Sequence, residues 1–376
     1  MNGRTGWLAV LTIAALVAFG CSGGRQSPVD QMRASAGPGE FRIGIMTGAA
    51  AHHADEFRAA QQLAKKYGAR VRHITYPDDY ELEQETIVAQ LTGLAADPDM
   101  RVIVVGEAVP GAVEAAQRIR MLRPDVLIGF VAPHQDAALV NGACDLAVGV
   151  DQAARGRSLA AAAVAMGVKT IVYYTAAGDS LEPPLARQRA LMNTEARQRG
   201  LAFEGVDQPA ANGHALDQFY DADVARALAA HGAATGFYAT DPAAEGALIR
   251  AVLGHGGYLI EGADPSPLAG LADALDASVP AERADDPDFV AGENRRAAAA
   301  HDRAGHFGAW SESPDMIAIR AVTNVLVDAV EKQVDYRDRA TVLTYLRVEA
   351  GPDVKLRKFD EASGNQYLMT LAHVVF

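Results

Sequence analysis

The sequence predicts an α/β protein of two doubly wound, parallel-sheet lobes joined by a hinge, closing with an antiparallel hairpin at the C-terminus. Three observations carry this expectation. The chain has 376 residues, more than one hydrophobic core usually organises, so two lobes are the default. From residue 41 onward, short β-branched runs alternate with Ala-rich amphipathic segments, as strand–helix–strand units do. That alternation restarts near residue 170, once a first set of strands has run out.

Composition narrows the class. Hydrophobic residues make up 49% and charged residues 22%, ordinary for a globular protein. The net charge of −13 argues against a nucleic-acid partner, because such partners demand clustered Lys and Arg. The two cysteines, Cys21 and Cys144, cannot build a disulfide framework once Cys21 is assigned elsewhere. Cys144 lies in an apolar run and reads as a buried, inert thiol.

The first 21 residues read as an address. Arg4 and the amino terminus give a weakly positive start, and residues 7–19 are mostly apolar but too short to span a bilayer. Ala18-Phe19-Gly20-Cys21 followed by Ser22 resembles a bacterial lipoprotein signal, in which Cys21 is lipidated. Ala18 stands where a Leu is usual, and an ordinary cleaved signal is the alternative. Residues 22–39 are rich in Gly, Ser, Pro and Gln and read as a flexible tether. The expected location is the periplasm, lipid-anchored to the envelope, with Ser22 favouring the outer membrane if the cell is Gram-negative.

The elements follow in order. Residues 40–151 form the first lobe, with strands at 41–46, 71–76, 102–105, 126–131 and 146–150 and helices at 55–67, 82–95 and 112–122. In the 82–95 helix, Leu82, Thr86, Ala89, Leu91 and Leu94 set a roughly helical period. Residues 152–264 form the second lobe, with strands at 170–174, 202–206, 236–240 and 258–261. Its helices are expected at 153–166, 185–199, 217–231 and 243–253. Residues 265–335 read as a crossover and helices returning to the first lobe: 278–305 is helical surface or loop, and 316–334 is helix. Residues 336–376 read as antiparallel strands near the hinge, at 341–348, 354–359 and 366–376, around turns at Gly351-Pro352 and Ser363-Gly364-Asn365. Strands that are apolar throughout require cover on both faces.

Several segments together resemble one bacterial family. They are residues 43–48 (Ile-Gly-Ile-Met-Thr-Gly), Ile74-Thr75-Tyr76-Pro77-Asp78 through Thr86, Gly106-Glu107-Ala108-Val109-Pro110-Gly111 and Pro133-His134-Gln135-Asp136. Ala239-Thr240-Asp241, residues 263–267 (Ala-Asp-Pro-Ser-Pro) and Phe307-Gly308-Ala309-Trp310-Ser311 complete the set. The family is one of exported proteins with a domain of unknown function and a type I periplasmic-binding-protein-like fold. The resemblance implies a solute-binding protein for an ABC transporter: a monomer, not an enzyme, without cofactor, binding a small molecule such as a sugar or nucleoside. No ligand comes with it. Ala239 departs from the family pattern, and so does the stretch after Pro267.

In such sheets the ligand lies beyond the carboxyl ends of the strands, and each strand end supplies a candidate. Thr47 and Gly48 close the first strand, where glycine admits close backbone approach or simply turns the chain. Asp78 binds ligand or caps the helix near Glu81. Glu107, after the third strand, accepts ligand hydrogen bonds or is a solvated loop charge. His134 ends the fourth strand as a ligand contact or a structural histidine. In the second lobe the candidates are Thr175, Arg187, Asp241 (which alternatively caps the helix after Pro242) and Asp264 in its Pro-rich segment. Trp310 offers an aromatic face for stacking, with core packing as the alternative.

Two patterns are set aside. Gly178-Asp179-Ser180-Leu181 spells a lipase-type nucleophile block, but no histidine follows an Asp at the spacing that chemistry uses. His52, His53, Asp55 and Glu56 are metal-type residues without a visible further donor, and read as a solvated helix N-terminus with no metal. The rival functions are an envelope receptor signalling to a partner and, further off, a hydrolase using Ser180 or a carboxylate pair.

Overall fold

The computed structural model describes residues 41–376 apart from 177–182, 211–212, 265, 268–269, 285 and 363. The expected leader and tether, with Cys21, and Ser180 lie outside the described residues. Among the described residues, no helix is long and apolar enough to cross a membrane.

The first sheet is built around β1 (Arg42–Thr47), β2 (Val71–Thr75), β3 (Met100–Val105), β4 (Leu127–Val131) and β5 (Leu146–Val150). Its seven strands run in the order β11-β12-β5-β4-β3-β1-β2, where β11 is Lys355–Lys358 and β12 is Gln366–Thr370. All neighbours are parallel except the β11–β12 pair. Alternate side chains feed two cores. Ile43, Ile45, Val102 and Val104 enter one, with α1 (Ala54–Tyr67), α11 (Pro314–Lys332) and α12 (Arg339–Ala350). Met46, Ile103 and Val105 enter the other, with α2 (Gln84–Ala95), α3 (Ala112–Leu122) and α4 (Ala137–Ala143). This is why these strands are apolar at nearly every position. Gly129 is needed where α11 crosses β4: a Cβ there would lie 2.4 Å from the Val322 side chain.

The second sheet runs β7-β6-β8-β9, parallel throughout, from β6 (Thr170–Thr175), β7 (Ala202–Asp207), β8 (Thr235–Ala239) and β9 (Tyr258–Leu259). It is covered by α5 (Gln152–Ala165), α6 (Pro183–Gln198), α7 (His214–His231) and α8 (Glu245–His255), with α9 (Leu271–Ala274) and α10 (Pro287–Ala300) beyond. An antiparallel ribbon of β10 (Gly308–Trp310) and β13 (His373–Val375) joins it through a bridge between Leu259 and Phe307. The chain passes between the sheets at Asp151, at 311–313 and at 371–372.

Several expectations are corrected. Residues 341–348 lie within α12, not a strand. The Asp338 side chain accepts from Thr341 N at its start, and Val342 and Leu346, four apart, are buried. Residues 366–376 are two strands, because β12 serves the first sheet and β13 the second. The return to the first lobe comes near 313, not 265: Leu271, Leu275 and Ala298 share a core with Phe237 and Ala239 of β8. The helix at 82–95 begins at Gln84: Leu91 and Leu94 are buried as the period expects, but Leu82, Thr86 and Ala89 are exposed and Ile87 and Val88 are buried in their place. Helix α4 was not anticipated.

Candidate functional site

A cleft of about 1350 Å³ opens at the carboxyl ends of both sheets. In each sheet the order reverses around one strand, β1 in the first and β6 in the second, and loops diverge at such a switch point to leave room for a ligand. The first lobe contributes Asp55, Glu56, Glu107 and Asp315 to the lining. Asp151 and Arg357 line it at the hinge, and Arg157, Arg187 and Asp264 line it from the second lobe.

The acidic side is the more tightly built. Glu56, in the first turn of α1, is only 2% exposed. Its Oε2 accepts from the Gly48 N–H at 2.8 Å and the Tyr76 hydroxyl at 3.1 Å. Burial, then the nearby Glu107, pushes its carboxyl up to about 8. Glu107 Oε2 lies 3.5 Å from His53 Nδ1, 3.4 Å from the Tyr76 hydroxyl and 3.8 Å from His134 Nε2. Burial also raises Asp315 and Asp264, and the Asp315 carboxyl feels Glu56, Asp264, Glu107 and Asp55 as further like charges. The two lobes touch across the gap where the Ser266 hydroxyl donates to Asp55 Oδ2 at 2.6 Å.

Backbone strain collects at the same place. Glu107 (φ +35°) and Ala132 (φ +42°), following β3 and β4, are non-glycine residues in the left-handed region, and both line the cleft. Such residues persist only where their surroundings over-determine them. Hydrogen bonds do so here: Ala108 N donates to Val131 O and Ala132 N to Val148 O, each at 2.9 Å.

On the other side, Arg157 and Arg187 are exposed at the cleft and have no ion-pair partner among the described residues. Arg357 is engaged, gripping Asp151 through two nitrogens while Asp151 caps α5 by accepting from Ala154 N. The segment that carries Asp264 is held by Arg155, whose guanidinium donates to Glu261 Oε1 at 2.6 Å, Gly262 O at 2.5 Å and Ala263 O at 2.8 Å.

Of the ten ligand candidates, Glu107, Arg187 and Asp264 line the cleft. His134 packs edge-on against Tyr80 and faces Glu107. Gly48 lies beneath His53, whose ring comes within 2.3 Å of where its Cβ would be. The other five are not among the residues that line the cleft. Thr47 is buried, bonded to His73 Nε2 and Gly48 O. Thr175 is buried and accepts from Arg189. Asp241 caps the turn at Ala243 and accepts from Gln208 Nε2. Asp78 is an exposed residue 3.8 Å from His52. Trp310 is fully buried, with the Arg155 guanidinium 5.7 Å from its ring. The solvated helix start expected at 52–56 is also corrected, because Glu56 points inward. Asp315, Arg157 and Arg357 were missed, since none stands at a strand end by its local pattern. Cys144 is buried as expected, and burial pushes its thiol up to about 12.

Two doubly wound sheets, three connections between them and a cleft at their carboxyl ends define a type I periplasmic-binding-protein-like fold. The chain belongs to the family described as "Protein of unknown function (DUF3798)", whose model matches residues 41–308. An uncharacterized protein of Treponema pallidum (strain Nichols) is 30% identical over 177 residues, covering 45% of this chain and 80% of that protein. Among solved structures, a putative transcriptional regulator from Clostridium difficile 630 superposes with a TM-score of 0.82 at 17% identity, covering 90% of this chain and 99% of that one. A sugar ABC transporter protein from Actinomyces odontolyticus ATCC 17982 gives a TM-score of 0.54 at 11% identity, covering 89% and 95%. At these identities the structural likeness speaks for the fold.

Proposed function

We propose that the chain is an exported, lipid-anchored solute-binding protein that captures a small polar ligand, of sugar or nucleoside kind, and delivers it to an ABC permease. The observation that carries this reading is the cleft itself, lined by polar side chains from both lobes. A ligand bridging the lobes favours their closed arrangement by its extra contacts there. Closed ligand sites usually enclose about 300–1,000 Å³, so closure that shrinks the 1350 Å³ gap matches a solute of that size. The sugar-transport description of the Actinomyces structure points to the same ligand class, and the leader at 1–21 supports the envelope location.

The test is a thermal-shift screen of the mature chain, unfolded and refolded to strip bound solute, against sugars, nucleosides and amino acids. A solute at 100 times its Kd stabilises by about 2.7 kcal/mol and should raise Tm by several degrees. Absence of a shift with every class would remove this reading.

A further inference from the structure

We propose that His53, Glu56 and Glu107 form a binding site for a divalent transition-metal ion at the switch point of the first lobe. Each offers a donor atom, and the three donors lie within 4.8 Å of one another. All three residues line the cleft. Two donors held about 2.1 Å from a tetrahedral ion lie about 3.4 Å apart, and His53 Nδ1 stands 3.5 Å from Glu107 Oε2.

Proximity of acids alone would carry little; the deciding observation is Glu56. Its Oε2 is fixed by the Gly48 N–H and the Tyr76 hydroxyl, while its Oε1 is buried and has no hydrogen-bond partner among the described residues. A buried carboxylate oxygen without a partner is costly. A protonated His53 paired with Glu107 would satisfy those two groups and still leave that oxygen bare. A metal ion held among the three donors would engage His53 and balance both crowded carboxylates, Glu56 included. Donors that orient a ligating carboxylate through its other oxygen are what metal sites use as their outer support.

Local sequence holds the arrangement in place. Gly48 lacks the Cβ that would displace the His53 ring, and Tyr76 meets that ring edge-on at 5.5 Å. Glu107 reaches the site from a positive-φ backbone. One imidazole nitrogen with two carboxylates suits Zn²⁺ or Mn²⁺. Mg²⁺ and Ca²⁺ prefer oxygen-only sets, for Ca²⁺ usually of six or more. Remaining coordination positions would be filled by water or by the occupant of the cleft.

The test uses the untagged mature chain stripped with EDTA and titrated calorimetrically with ZnCl₂, MnCl₂, MgCl₂ and CaCl₂ in turn. One equivalent of Zn²⁺ or Mn²⁺ should bind at least tenfold more tightly than Mg²⁺ or Ca²⁺. His53→Ala and Glu107→Gln should each weaken it at least tenfold, and Tyr76→Phe, which removes the hydroxyl shared by Glu56 and Glu107, by about 10- to 100-fold. His52→Ala should change nothing. Far-UV circular dichroism establishes that each variant is folded, and two independent ligand variants guard against one failing to fold. No binding, equal binding of the hard ions, or affinity unchanged in both folded ligand variants would overturn the site. The solute screen, run in EDTA, succeeds or fails separately.

Discussion

Arg155 and Glu261 are each about 1% exposed, and their contact fixes the loop that presents Asp264 to the cleft. Breaking a buried pair strands the remaining charge, at a cost of about 3–5 kcal/mol. Arg155→Ala should therefore lower the urea midpoint sharply, while Arg155→Met combined with Glu261→Leu should recover much of the loss. Equal losses in both would contradict the pairing argument. Glu245, 8% exposed beside Asp264, gives a prediction in pH. Burial, then Asp264, pushes its carboxyl from 4.5 up to about 8. The folded protein keeps a proton that the unfolded chain releases above about 4.5, so stability present at low pH is lost as pH rises toward 8. Glu245→Gln has no such proton, and its urea midpoint should fall less between pH 5 and pH 8 than that of the unaltered protein. Site legibility was uneven at this scale. Glu107 could be found because only Gly106 separates it from the end of β3. Glu56 could not, because a carboxylate in the first turn of a helix is the common solvated pattern, and only the tertiary approach of Tyr76 and Glu107 turns it inward.

At the scale of elements, the strands and most helices were legible because a parallel sheet covered on both faces demands continuous apolar runs. Where a segment serves one face only, the signal weakened. Residues 341–348 carry Thr, Val and Tyr, a strand-like composition, yet Asp338 and Gly351 cap them as α12. A strand would place Val342, Leu346 and Val348 on one face. The helix buries Val342 and Leu346 and leaves Val348 77% exposed. Leu346→Ala should then cost about 2–5 kcal/mol, whereas Val348→Ala should stay within about 0.5 kcal/mol. Comparable costs at both positions would restore the strand. The 82–95 helix shows the same lesson: counting from Leu82, which lies outside the helix, kept Leu91 and Leu94 on the apolar face but put Thr86 and Ala89 where Ile87 and Val88 belong.

For the whole molecule, two lobes were legible from length and from the restart of the alternation, but the place where the chain returns was not. Helices α9 and α10 give no local sign of which sheet they cover; only their burial against β8 decides it. Three connections and the hydrogen bond from Ser266 to Asp55 relate the lobes. Ser266→Ala removes that contact and should raise the radius of gyration measured by small-angle scattering in the absence of solute. The most direct measurement of the central claim is mass spectrometry of small molecules released on denaturing gently purified protein, beside the variant Ala153→Trp, which adds an indole to the cleft lining. The account predicts a polar molecule of a few hundred daltons, near one per chain, in the unaltered protein and its loss from the variant. A protein that releases nothing, or that releases the same molecule in the same amount with the cleft filled, would contradict it.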